Sequence, residues 1–205
     1  MESYPDMAHL RTFSAAAERN KVPIGDVLAS YLVGKKSVLE IASGTLQHVT
    51  YLAARFPEVV WMPSDVDEVV LSHYEQLDKK ERNINKPILL NILSKEFSPL
   101  SVDMILCVNM IHIAPWEATL GLVNLAARSL NKGGFLITYG PYFGLEAEEA
   151  PSNIAFDQSL RSQNSDWGIR DSNTVIEAAA RKNLVHKDTI SMPANNHILV
   201  FKSNM

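Results

Sequence analysis

Between Ser37 and Tyr142 short apolar runs recur five times with longer polar or amphipathic stretches between them. That rhythm constrains the fold more than any other feature of the chain. The runs SVLEIA, VVWMPSD, PILLNIL, VDMILCVNMIHI and FLITYGPY are short, apolar and mostly unalternating, as strands covered on both faces are. QHVTYLAARF, DEVVLSHYEQLDKKERN and WEATLGLVNLAARSLNKGG carry helical spacing instead, the last running to Lys132, Gly133 and Gly134, where glycine can take the left-handed conformation that stops a helix. Strands connected through helices run parallel, so the expected fold class is α/β, a doubly wound sheet. After a sixth helical stretch, SNTVIEAAARKN, the runs LVHKDTISM and HILVFKS are close enough to pair as a hairpin.

Ahead of the sheet, Ser14 to Asn20 and VPIGDVLASYL predict two helices broken at Pro23 and Gly25, within an N-terminal helical segment over 1–34. Residues 143–171 read as polar and irregular, and a long stretch of that kind inside a compact domain is expected to form a lid or binding loop on the substrate side. A length of 205 residues suits one domain spanning 1–205. The net charge of −4 gives no electrostatic reason to seek nucleic acid or an anionic membrane. No run approaches the roughly twenty apolar residues of a membrane span, and the N-terminus carries no apolar core bounded by a cleavage site, so a cytoplasmic location is expected. Cys107 is the only cysteine, which excludes an internal disulfide. His9, His73, His186 and His197 are too scattered to suggest a metal site, and none is expected.

In such sheets ligands bind outside the carboxyl ends of the strands, beside the first of them. That rule selects the turn at Ala42 to Thr45, Asp65 and Asp67, Asn91, the segment Asn109 to His112, and Gly140 to Tyr142. Asp65 stands twenty-one positions beyond Gly44, the spacing at which a βαβ unit sets a carboxylate to accept ribose hydroxyls. A tight turn followed by a helix-capping carboxylate would give the same pattern. Glu40 lies inside an apolar strand, where a carboxylate is costly unless it is hydrogen-bonded or receives a cationic group. A cation at Glu40 suits a ligand that brings an aminoacyl chain to the turn. A pyrophosphate wants close backbone approach there, and Leu46 stands where that design needs glycine.

VLEIASGTLQH, WMPSDVD, VNMIHIAPW, LITYGPY and MPANN, with AAERNKVPI ahead of them, resemble in order a family of class I methyltransferase-like proteins of largely uncharacterised function, with bacterial and animal members. The resemblance covers nearly the whole chain. It implies a seven-stranded sheet, parallel except for the last strand, and S-adenosylmethionine as cofactor. It also implies that Glu40, Ala42 and Gly44 form the cofactor turn, that Asp65 is the ribose acid, that Asn91 meets adenine and that Asn109 lies near the methionyl part. Arg19 and Asn20 would then lie over the cofactor carboxylate. Relatives read SGSGQH or SGTGQH at the turn, so Leu46 is a departure. Its side chain either joins the packing of the first helix or stands where the methionyl chain must lie.

Methyl transfer from a sulfonium chiefly requires alignment of acceptor and methyl and exclusion of water. Where a base helps, His112, directly beyond the fourth strand, is the best-placed candidate; a ring that merely hydrogen-bonds a loop carbonyl is its plainer reading. Tyr142 is the second catalytic candidate; one of Tyr139 and Tyr142, which flank Gly140 and Pro141, is expected to face the site, and either can be a plain wall residue. His48 reads as a packing or helix-end residue. Asn153, Asp157, Trp167 and Arg170 are the substrate-binding candidates, while Asn195 and Asn196 can be simple turn residues. The expected function is S-adenosylmethionine-dependent methylation of a small molecule. A methyltransferase-fold binding or scaffold module without efficient transfer, and a pocket redirected to isomerisation or cyclisation, are the alternatives.

Overall fold

The computed structural model describes residues 13–77, 82–94, 98–146 and 149–204. Seven strands form one sheet: β1 (Ser37–Ile41), β2 (Val60–Asp65), β3 (Ile88–Leu89), β4 (Val102–Val108), β5 (Leu130–Gly140), β8 (Leu184–Met192) and β9 (Asn196–Ser203). Their order is β3-β2-β1-β4-β5-β9-β8, and only β9 runs antiparallel to its neighbours. β6 (Tyr142–Phe143) and β7 (Arg170–Asp171) pair separately. This is the fold of the class I methyltransferases, and the doubly wound sheet with an antiparallel last strand is as expected. The order in which strands are added to the sheet reverses between the parallel neighbours β1 and β4, so the crevice above that pair is where a ligand belongs.

Helices cover both faces. α1 (Ala15–Tyr31), α2 (Gln47–Arg55) and α3 (Val69–Glu75) lie on one, while α4 (Trp116–Ser129) and α6 (Ser172–Ala180) lie on the other. β1 shows how the sequence divides between them. Val38 joins the core with Leu28, Leu46 and Leu52, and Leu39 and Ile41 join the core with Leu122, Leu125 and Val175. Strand alternation therefore turns Glu40 toward the α1 and α2 layer.

The break expected at Pro23 and Gly25 is absent: α1 is one helix with Pro23 inside it. Ser14 caps it through its hydroxyl, which accepts from Ala17 N at 3.2 Å. Buried residues at 17, 20, 24 and 28 keep one face continuous across the proline, and packing outweighs the lost hydrogen bond. Gly25 serves a close crossing, since a Cβ there would stand 3.0 Å from the Tyr51 ring of α2. Residues 143–171 are also more ordered than expected. Pro151–Gln163 forms α5, opened by Pro151 and supported by the Asp157–Arg161 pair at 2.8 Å, but it buries only Asn153 and Leu160 and so shows no apolar periodicity. α4 stops at Ser129, and Gly133, with φ of +71°, lies within β5 beside a register shift between Val102 and Met104. Cys107 is buried in β4, and burial pushes its thiol up to about 12. Among the described residues no helix is long and apolar enough to cross a membrane.

Candidate active site

The turn after β1 takes left-handed backbone at three alternate positions, Ala42 (φ 57°), Gly44 (φ 50°) and Leu46 (φ 60°). Only one is glycine. Leu46 is fully buried in the cluster that holds Ile24, Leu28 and Val49, and its carbonyl accepts from Thr50 N to open α2. The side chain therefore packs into the helical layer and does not obstruct the turn. Burial offsets a left-handed leucine's strain of about 1–2 kcal/mol.

Two serines lock the turn to β2. Ser64 Oγ donates to the Glu40 carbonyl at 2.7 Å, Ser64 N donates to Ser43 Oγ at 3.1 Å, and Ser43 N donates to the Ser64 carbonyl at 2.9 Å. Asp65 then reaches back across the turn, where its Oδ2 accepts from Gly44 N at 2.9 Å while Oδ1 accepts from Asp67 N at 3.1 Å. His73 of α3 contacts the Gly44 carbonyl through Nδ1 at 3.0 Å. Asn91 is exposed just past β3, where its Oδ1 accepts from Leu93 N at 2.9 Å in an Asx turn.

Glu40 is 2% exposed, and its Oε2 has no hydrogen-bond partner. Burial raises its pKa to about 8, against a hydrogen bond from Ser43 that lowers it. His48 stands over it, with Nδ1 4.0 Å from Glu40 Oε1 and Nε2 2.7 Å from Asn20 Oδ1. Burial, with Lys21 nearby, lowers the His48 pKa to about 4, so the ring is neutral at pH 7.

Beside this turn a cleft of about 530 Å³ opens above β4 and β5. Arg19, Asn20, Asn109, His112 and Asn153 line it, and Glu40, Ala42, Gly44, Asp65 and Asn91 lie outside it, toward the β1, β2 and β3 end. Asn109 has φ of 61°, and its N–H donates to the Tyr139 carbonyl at 2.8 Å. Tyr139, not Tyr142, faces the cleft. Tyr142 is buried, and its hydroxyl donates to Thr138 Oγ1 at 2.7 Å; burial raises its pKa well above the usual phenol range.

His112 is 1% exposed, with neither ring nitrogen hydrogen-bonded, and its ring meets Tyr142 edge-on at 5.3 Å. Burial, with the Arg170 cation second, depresses its pKa to about 3. A hydrogen bond of its ring to a loop carbonyl is thus not what is found. Gly140 leaves the space for that ring, since a Cβ there would lie 2.3 Å from His112 Nε2. Gly140→Ala is therefore expected to displace His112 and lower the melting temperature, with the ring's NMR signals shifting; unchanged signals would contradict the packing described.

Arg170 Nε donates to the Ile111 carbonyl and Nη2 to the Asp166 carbonyl, both at 2.9 Å, and Nη2 also donates to the Ala114 carbonyl. Asp157 accepts from Ile169 N and Arg161 Nε, each at 2.8 Å. Gly168 N donates to the His112 carbonyl at 2.9 Å. Arg170 and Asp157 thus secure the turn Met110–His112 and the irregular segment leading into β7, while Trp167 of that segment is half-buried and its backbone N–H donates to the Asn164 carbonyl. Asn153 Nδ2 donates to the Asn195 carbonyl at 3.0 Å and joins α5 to the β8–β9 turn. Ser152 and Phe156 line the cleft beside Asn153. Sequence reasoning missed both, because their helical spacing means little until residues 151–163 are known to be a helix.

A family described as "Protein of unknown function (DUF938)" matches residues 11–203. The chain belongs to this family. Among solved structures it resembles an O-methyltransferase family 2 protein from Planctomyces limnophilus in complex with apigenin, at TM-score 0.81 and 19% identity over 98% of this chain and 62% of that one. An O-methyltransferase family protein from Burkholderia thailandensis gives TM-score 0.78 at 13% identity, over 92% of this chain and 57% of that one. Human N-acetylserotonin methyltransferase in complex with SAM gives 0.69 at 10%, over 92% and 56%. The chain spans little more than half the length of these structures, and at such identities the likeness is one of fold.

Proposed function

We propose that this chain is a methyltransferase that uses S-adenosylmethionine to methylate a small molecule. The observation that carries this is Glu40, a carboxyl group in the sheet interior, with one oxygen unpartnered, next to a turn whose Gly44 is held by the acid at the end of β2. An ammonium would satisfy the first group and ribose hydroxyls the free lone pairs of the second, so the residues fit the cofactor. When bound it supplies an electrophilic methyl on a sulfonium. Glu40, Ala42, Gly44 and Asp65 hold it on one side, with Asn91 at the adenine end and Asn109 near the methionyl part. Arg19 and Asn20 stand over the carboxylate.

The acceptor occupies the cleft. Among the described residues no carboxylate lines it and Arg19 is the one charged lining residue, which favours an acceptor that enters neutral or anionic, as an oxygen acid does, over an ammonium. His112 orients the acceptor as a neutral ring; Tyr142 and Gly140 set its position, and Asn153 closes the far wall. Asp157, Trp167 and Arg170 shape the cleft by holding the backbone around it. A scaffold reading in which Leu46 blocks the turn finds no support in a Leu46 side chain buried in the helical layer.

Asp65→Ala is expected to weaken S-adenosylmethionine binding by at least about 1.5 kcal/mol, roughly tenfold, through loss of charge-assisted hydrogen bonds. Calorimetric titration of the variant, with its melting temperature measured alongside, checks this. Unchanged affinity would mean the ribose lies elsewhere.

A further inference from the structure

Among the described residues Glu40 is the one buried carboxyl group, and it has a neighbour to which the cofactor reading assigns no role. His48 Nε2 is 2.7 Å from the side-chain oxygen of Asn20, so this nitrogen carries the ring proton. Asn20 also lines the cleft beside Tyr139. The neutral ring then has one remaining site, the lone pair on Nδ1, and this nitrogen stands 4.0 Å from Glu40 Oε1. At 4.0 Å, Nδ1 and Oε1 are too far apart for a direct hydrogen bond between them. A single tetrahedral nitrogen can donate to both at ordinary hydrogen-bond lengths of about 2.9 Å.

We propose that Glu40 and His48 Nδ1 form a two-acceptor seat for a primary ammonium group, with Asn20 as the positioning residue that fixes the His48 tautomer. The proposal rests on the cofactor reading, in which that group is the aminoacyl ammonium of S-adenosylmethionine. It assigns His48 to binding, whereas its sequence position suggests only packing at the start of α2. It also gives the order of elements a purpose: α1 brings Asn20 onto the α2 layer, where one side chain reaches both the cleft and the turn.

The test is calorimetric titration of the full chain with S-adenosylhomocysteine, which carries the ammonium, and with 5′-methylthioadenosine, which lacks the aminoacyl chain. His48→Phe is expected to weaken S-adenosylhomocysteine about tenfold and leave 5′-methylthioadenosine within about twofold. Asn20→Asp, which draws a second proton onto His48 and turns Nδ1 into a donor, is expected to weaken the first ligand selectively as well. In the unmodified protein, nitrogen-15 NMR should show His48 protonated on Nε2 and should report a shift at Nδ1 when S-adenosylhomocysteine is added. Equal loss of both ligands, unchanged affinity in a folded His48→Phe, or an Nδ1-protonated ring would overturn the seat while leaving the cofactor reading intact. Failure of both ligands to bind the unmodified protein would overturn the cofactor reading, and the seat with it.

Discussion

Leu46→Gly is expected to cost stability and to leave cofactor affinity unchanged. The substitution empties a fully buried leucine site in the α1 and α2 layer, a loss of about 3–5 kcal/mol for large-to-small changes in a core. Glycine at φ of 60° relieves about 1–2 kcal/mol of backbone strain, so the net destabilisation is about 2 kcal/mol. For a chain of this size that lowers the melting temperature by roughly 4–8 °C. Denaturant titration measures the first quantity and calorimetry with S-adenosylmethionine the second. A gain in stability together with tighter binding would place the Leu46 side chain in the site, contrary to its packing.

Glu40→Gln separates binding from folding. It keeps the shape of the side chain, removes the charge an ammonium needs, and is expected to weaken S-adenosylmethionine by at least about tenfold. Its effect on pH dependence follows from burial. The folded protein holds the Glu40 proton up to about pH 8, whereas a carboxyl with the ordinary value of 4.5 releases it in the unfolded chain. Between those limits the folded state binds the extra proton, so stability falls as pH rises, by about 1.4 kcal/mol per pH unit. His48 and His112 act in the opposite sense. They stay neutral down to about 4 and about 3, below the ordinary 6.5, so stability rises with pH up to that value. The ligand-free protein should therefore be most stable near pH 6.5, and Glu40→Gln should flatten the alkaline side and steepen the acid side, where the two histidines then act unopposed. Equilibrium denaturation between about pH 5 and 9 reads both limbs, and an alkaline limb that survives in Glu40→Gln would assign it to another group. Binding of an ammonium stabilises the carboxylate, so at pH 7 it expels the Glu40 proton, which calorimetry in buffers of different ionisation heat detects.

The sheet was legible because strands covered on both faces leave uninterrupted apolar runs, and the alternation of those runs with helices leaves little choice of topology. The acid and the turn were legible for a related reason: Glu40 has no place in such a run without a purpose. What the sequence hid lay where tertiary packing overrides local preference. Pro23 and Gly25 look like a helix break, yet α1 continues because Ala17, Asn20, Ile24 and Leu28 share one buried face. α5 was invisible because a helix that buries two residues has no apolar stripe to read. Arg170 reads from sequence as a substrate-binding residue, and the carbonyls it holds could not be known before the fold brought Ile111 and Ala114 to it. Leu46 was ambiguous for the simplest reason: φ is not written in the sequence, and only its value shows that this leucine reaches the core from a glycine's conformation.

The central claim is that the β1 turn, with Glu40 and Asp65, holds S-adenosylmethionine. Titrating the full chain with S-adenosylhomocysteine at pH 7 in two buffers of different ionisation heat tests it most directly. The expected result is saturable binding at one site, with a buffer-dependent heat that reports release of the Glu40 proton. No detectable binding at about millimolar ligand, or binding with no proton released, would contradict it.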